Sequence, residues 1–216
     1  MARSVADEKQ YLRAILTDCR IAISSESARA WSAEIVRRIL AADFYRGAGR
    51  VVAYASAHNE VSTDSLIAAA LAAGKSVMLP RYDRARGRFE PAYVSEPHAL
   101  APGAFGILEP PPAAPAAAAN ELAGALVCVP GLGFGLSGER LGRGGGHYDR
   151  FLAEFCAEAV TTGLAYSFQL LERIPEREFD RRLNFIVTES AVYCAGDAPR
   201  HPRGAAGQGG TPGWLC

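Results

Sequence analysis

The sequence predicts an α/β protein with a mostly parallel central sheet covered by helices on both faces. Three observations carry this expectation. Helix-like and strand-like apolar patterns alternate along the chain, the order that builds a parallel sheet with crossover helices. The strand-like segments are short apolar runs, such as "ALVCVP" at 125–130, as suits strands buried on both faces. A glycine-rich stretch, "GLSGERLGRGGGHYDRFL" at 135–152, lies between that strand and a helix-like pattern. In open α/β sheets ligands sit there, beyond the carboxyl ends of the strands.

Each element has its own signal. Leu12, Ile15, Leu16 and Cys19 recur at i, i+3, i+4, i+7, the stripe of an amphipathic helix. A second helix follows "SSES", where Ser24 or Ser25 can cap the free N–H groups, and Ala28, Trp31, Ile35 and Ile39 mark its inner face. Residues 50–56 read as a buried strand. Ser62 or Thr63 caps a third helix that runs to Ala73 and stops at Gly74. Residues 76–80 form another buried strand, and 88–94 an edge or bulged strand because of Pro91. Residues 101–119 carry five prolines and eight alanines and read as a surface connection without elements. After strand 125–130 and the glycine loop, Phe151, Leu152, Phe155 and Cys156 mark a fourth helix over 148–158, followed by strands at 159–166 and 183–189. One domain is expected over 1–195, and the glycine- and proline-rich 196–216 read as a disordered tail.

Composition excludes several classes. The 216 residues carry 23 basic and 23 acidic side chains, a zero net charge that argues against broad nucleic-acid binding. An RNA-binding module using Arg140 and Arg143 is therefore the weaker alternative. There is no apolar run long enough for a membrane span, and "MARSVADEKQ" lacks the apolar core of a signal peptide. Five scattered cysteines without a C-x-x-C pair read as reduced thiols, so a cytoplasmic protein is expected.

The glycine loop points to an anion. A loop of small residues entering a helix N-terminus offers free N–H groups and the positive end of the helix dipole. Arg140 and Arg143 add forked donors that match phosphate. Asp149, in the first helical turn, reads either as a favourable first-turn acid or as a Mg²⁺ ligand against a polyphosphate. The stretch is neither a Walker loop nor a dinucleotide fingerprint, because the required spacings are missing.

The full string "VPGLGFGLSGERLGRGGGHYDRFL" resembles the signature of the 5-formyltetrahydrofolate cyclo-ligase (methenyltetrahydrofolate synthetase) family, which carries either tyrosine or arginine at the position of Arg143. "EKQYLR", "NEVST", "GKSVMLPRY" and "FGILEP" have counterparts there, so the resemblance spans about residues 5–190. It implies a three-layer α/β sandwich related to the CoA-transferase and ribose-phosphate isomerase group. It also implies ATP and Mg²⁺ as co-reactants and 5-formyltetrahydrofolate as substrate, with polyglutamylated forms included. The product is 5,10-methenyltetrahydrofolate, and the route passes through a phosphorylated formyl group. The alternative within this fold is a paralogue that binds ATP without folate activity.

The resemblance implies ATP contacts at Lys9, Arg13, Arg140, Gly142, Arg143, Gly144, Gly145, Gly146, Tyr148 and Asp149. It implies substrate contacts at Ala55, Glu60, Gly144, His147 and Tyr148, with Glu60 on the pterin and Arg81 and Tyr82 nearby. Arg143, His147 and Tyr148 are the implied catalytic set, and Gln169 falls in a similar stretch. Two departures stand out. His147 replaces a family tyrosine, and Asn184 replaces an aspartate implied to join Asp149 at Mg²⁺, so weaker metal binding is expected. A monomer that binds neither nucleic acid nor membrane completes the expectation.

Overall fold

The computed structural model describes residues 4–96 and 99–195. The helices are α1 Val5–Ile21, α2 Ser25–Ala41, α3 Asp43–Gly47, α4 Asp64–Ala72 and α5 His147–Phe155. The first strands are β1 Arg50–Val52, β2 Ser76–Asp83, β3 Arg88–Val94, β4 Ala101–Pro102, β5 Leu108–Glu109 and β6 Leu126–Val129. The chain continues with β7 Gly133–Gly135, β8 Arg140–Leu141, β9 Val160–Leu164, β10 Leu170–Leu171, β11 Phe185–Val187 and β12 Val192–Cys194. The tail expected from residue 196 lies outside the described residues.

Seven strands make the main sheet, in the order β12-β11-β9-β6-β1-β2-β3. The five inner strands pair in parallel. The two edges, β3 and β12, pair antiparallel. Side chains alternate between the faces as a pleated sheet requires. Val51, Val77, Leu126 and Cys128 pack with Ile35 and Ile39 of α2 and with Leu66 of α4. Val52, Met78, Val127 and Val129 point the other way and pack with Phe151 and Leu152 of α5. The result is three layers, as expected.

Local signals set the helix starts. The Ser4 hydroxyl accepts from Asp7 N–H at 3.2 Å and caps α1, and Ser24 rather than Ser25 caps α2 by accepting from Ser27 N–H. Of the two caps expected for α4, Ser62 Oγ accepts from Asp64 N–H at 3.4 Å, whereas Thr63, at the N-cap position, donates its buried hydroxyl to the Tyr54 carbonyl. That bond ties the helix to the end of β1.

Two further readings are corrected. The buried face of α1 is Lys9, Leu16 and Arg20, whereas Ile15 and Cys19 are exposed. The reason is that α1 does not cover the main sheet. Its Leu16 packs with Leu132, Leu141 and Ile174, beside the small sheet β10-β7-β8 built by the glycine loop. The segment 101–119 is also more than a connection. It forms the β4–β5 ladder, and Ala116 bridges Ala92 on the outer side of β3.

The first half of the glycine loop is a tight hairpin. β7 and β8 pair Gly133 with Leu141, and Gly138 turns the chain with φ +89°. A Cβ on Gly138 would lie 2.4 Å from the Leu183 carbonyl oxygen and 2.9 Å from Ala195 Cβ. This glycine is therefore fixed by backbone conformation and by close approach. Gly138→Ala should cost about 1–3 kcal/mol and lower Tm by roughly 3–10 °C. A melting curve superimposable on the parent would show that the turn relaxes at no cost.

Candidate active site

The loops after β1, β6 and β9 end at one edge of the sheet, and a cleft of about 790 Å³ opens there. Of the site residues expected from the sequence, Lys9, Arg13, Ala55, Glu60, Arg140, Gly142 to Gly146, His147, Tyr148 and Asp149 line it, whereas Arg81, Tyr82, Gln169 and Asn184 do not. Arg81, whose guanidinium pairs with Glu90 and binds the Pro111 carbonyl, is held in the wall of the sheet instead.

One end of the cleft gathers cations around the glycine cradle. Gly146 caps α5 in the left-handed conformation, φ +66°, which turns the chain so that the first N–H groups of the helix follow the glycine run. Arg13 Nε donates to the Gly142 carbonyl at 2.9 Å, so α1 and the loop are joined at the cradle. Arg140, with a 4% exposed side chain, donates to Asp149 Oδ1 at 3.0 Å. Its Nε is buried with no hydrogen-bond partner. Lys9 is buried too and pairs with Asp180. Lys9 is therefore part of the wall of the cleft.

The other end is aromatic and apolar, and it finishes at a carboxylate. His147 packs against Tyr82, Phe89 and Phe105, with ring centroids 5.4–5.8 Å apart. Phe105 is 61% exposed at the mouth and holds φ +58°. Glu60 faces the cleft with Oε2 accepting from Ala57 N–H at 3.2 Å and Oε1 2.9 Å from Arg143 Nη2. Tyr166, fully buried, donates its hydroxyl proton to the Glu60 carbonyl at 3.2 Å and so fixes the loop from behind.

The two ends meet at His147 and Tyr148. Burial, with Glu60 adding to it, holds the Tyr148 phenol far above its usual range, so it stays protonated and can act as a donor. Burial, then the neighbouring Arg150, lowers the His147 pKa, so the imidazole is neutral near pH 7. Tyr54, Phe89, Phe105 and Asp180 were not singled out from the sequence. Asp180 sits in the charged run "EREFDRR", which reads as a solvated face, and Phe105 sits among prolines and alanines.

Asn184 is elsewhere. It precedes β11, at the amino edge of the parallel strands, and its Oδ1 accepts from Thr161 N–H at 2.8 Å and from Thr161 Oγ1 at 2.9 Å. It lines a separate shallow depression with Glu158 and Arg182. The expectation that it joins Asp149 at a metal is corrected, because strand direction puts the two at opposite edges of the sheet. Among the described residues no cluster of three or more His, Cys, Asp or Glu side chains could hold a metal by itself.

A three-layer α/β scaffold whose sheet ends in a cleft between a cation-lined glycine cradle and an aromatic wall has the architecture of an α/β enzyme. The model of the 5-formyltetrahydrofolate cyclo-ligase family matches residues 5–189, and the chain belongs to that family of ligases. It is 30% identical to the 5-formyltetrahydrofolate cyclo-ligase of Mus musculus, over 88% of this chain and 98% of the mouse protein. It is 32% identical to that of Mycolicibacterium smegmatis, over 83% and 93% of the two chains. The solved 5,10-methenyltetrahydrofolate synthetase of Aquifex aeolicus superposes with a TM-score of 0.77 at 30% identity, covering 92% of this chain and 96% of the other. The Mycoplasma pneumoniae synthetase, at 20% identity and TM-score 0.66, shares the fold, covering 84% and 99%.

The placement of Asn184 has a measurable consequence. Asn184→Ala strips two hydrogen bonds from Thr161 and should destabilise the fold by about 1–3 kcal/mol, while the Michaelis constants of the enzyme stay unchanged. A shift in those constants at unchanged Tm would put Asn184 back in the cleft.

Proposed function

We propose that the chain converts 5-formyltetrahydrofolate and ATP to 5,10-methenyltetrahydrofolate, ADP and phosphate. The observation that carries this reading is the two-ended cleft. One end has the cations, free N–H groups and buried unpartnered Arg140 Nε that suit a polyphosphate. The other has flat aromatic surface and a carboxylate, suited to a heteroaromatic ring with a donor edge.

The formyl oxygen is a poor leaving group. In the proposed first step it attacks the γ-phosphorus of ATP, the bond to the β-bridging oxygen breaks, and ADP leaves. The substrate N10 amine then forms a bond to the formyl carbon. The carbon–oxygen bond breaks, the oxygen departs with phosphate, and the N10 proton is released. Such transfers rest on positioning and charge neutralisation.

Arg13, Arg140 and the Gly142–Gly146 backbone would hold phosphate oxygens, and Lys9 would add charge from the wall. The protonated Tyr148 would donate to the formyl oxygen. The neutral His147 would spare the cationic iminium that forms at N5 a neighbouring like charge. Glu60 would take the pterin edge, and the ring system would lie along Phe89 and Phe105 near Ala55. Mg²⁺ would enter with the nucleotide, and Asp149, a carboxylate lining the cleft beside the cradle, would help hold it. When bound, it supplies charge neutralisation at the phosphates.

The test is direct. Purified protein mixed with 5-formyltetrahydrofolate, ATP and Mg²⁺ should show the absorbance of methenyltetrahydrofolate rising with one ADP per product, and chelation of Mg²⁺ should stop it. ATP binding without any product would favour the paralogue that lacks folate activity. Arg13→Ala should raise the KM for ATP about 10- to 100-fold, the loss of one charge-assisted contact, with a smaller change for the folate.

A further inference from the structure

Glu60 is held by two arginines of different character. Arg20 reaches from α1 with a 4% exposed side chain, 3.8 Å from Glu60 Oε1, and also donates to the Gly131 carbonyl. It is built into the wall behind the carboxylate. Arg143 comes from the glycine loop on the open side, 48% exposed, and donates to the same Oε1 at 2.9 Å. Oε2 already accepts from Ala57 N–H. Oε1 is therefore the oxygen whose partner can leave without stranding a buried donor. Arg143 sits between Gly142 and Gly144, and Gly144 holds φ +105°, so its neighbours have no side chains to anchor the arm. A half-exposed ion pair of this kind contributes little stability.

We propose that Arg143 is an exchangeable cation shared by the two ends of the cleft. It neutralises Glu60 while the ring end is empty, and it turns to the nucleotide phosphates once a ring with a donor edge takes its place on Oε1. The inference rests on the functional reading above, in which Glu60 takes the pterin and the glycine loop takes ATP. A pterin presents its N3–H and 2-amino group as parallel donors, and these need Oε1 free. Pterin and guanidinium thus compete for one oxygen. Arg20 remains throughout, so Glu60 never loses its compensating charge. The two ligands must then help each other, because each removes a partner that the other has to displace, and the coupling is reciprocal. A tyrosine, which the family also carries at this position, has no charge to exchange.

Calorimetric titration with a non-hydrolysable ATP analogue and Mg²⁺, with and without 5-formyltetrahydrofolate, reads the coupling. In the parent protein the analogue should bind at least about fivefold more tightly once the folate is bound. Arg143→Gln, a change at an exposed position, should bind the folate alone more tightly than the parent, bind the analogue more weakly, and bring the coupling factor to about one. An arginine that only contacted phosphate would not tighten folate binding when removed. A coupling factor of one in the parent, or coupling that persists in Arg143→Gln, overturns the exchange while leaving the functional reading intact. Failure of the parent to bind either ligand overturns both.

Discussion

Burying a cation demands a carboxylate, and that demand organises the molecule. Lys9, Arg20 and Arg140 have side chains no more than 5% exposed. An unpaired charge in such a place costs several kcal/mol, so each is matched: Lys9 with Asp180, Arg20 with Glu60, Arg140 with Asp149. Two of the pairs, Lys9–Asp180 and Arg20–Glu60, join segments that are far apart in sequence. They pull α1 onto the loop before β11, onto the loop after β1 and, through Gly142, onto the glycine run. In the function proposed above, Lys9 and Arg140 are also the buried cations that would face a polyphosphate. Binding strength and structural cohesion are drawn from one set of charges, which keeps the cradle assembled before any ligand arrives.

This is also why the sequence reads well in some places and poorly in others. The inner strands announce themselves because they are buried on both faces, and "ALVCVP" has no polar residue to mislead. The helix α1 does not. Its apolar spacing favours Leu12, Ile15, Leu16 and Cys19, yet of these the protein buries only Leu16, alongside Lys9 and Arg20, whose partners come from distant segments. No periodicity contains that information. The glycine loop is legible as an anion site from its residue types. Its division into a hairpin around Gly138 and an open cradle at 142–146 depends on Leu183 and Ala195, which belong to another part of the chain. Asn184 illustrates the opposite failure. Its position along the chain is plain, but which end of a strand faces the cleft follows from topology, and a residue just before a parallel strand lies at the edge away from the ligand.

The aromatic wall shows how a cleft can be assembled from segments that composition dismisses. Phe105 stands in a run of proline and alanine, and its φ of +58° is one that a bulky side chain seldom adopts. The neighbouring β4–β5 ladder pairs Pro102 with Leu108 and closes the loop tightly. Strain of this kind persists only where the surroundings enforce it. Here they aim an aromatic ring at the mouth beside His147.

The strap at 115–117 has a significance that lies outside chemistry. β3 is seven residues long and forms one border of the main sheet. Left bare, such a border would offer a row of unpaired amides and carbonyls to any extended chain, and this is how folded proteins begin to polymerise. Tyr93 N–H is instead taken by the Pro115 carbonyl, and the Pro91 carbonyl by Ala117 N–H. Pro91 itself has no amide hydrogen to offer. A tract that composition would call filler therefore acts as a selvedge, finishing the sheet so that it does not unravel into its neighbours. Shortening it for the sake of a trimmer protein would trade a few disposable-looking residues for a chain prone to stick to copies of itself.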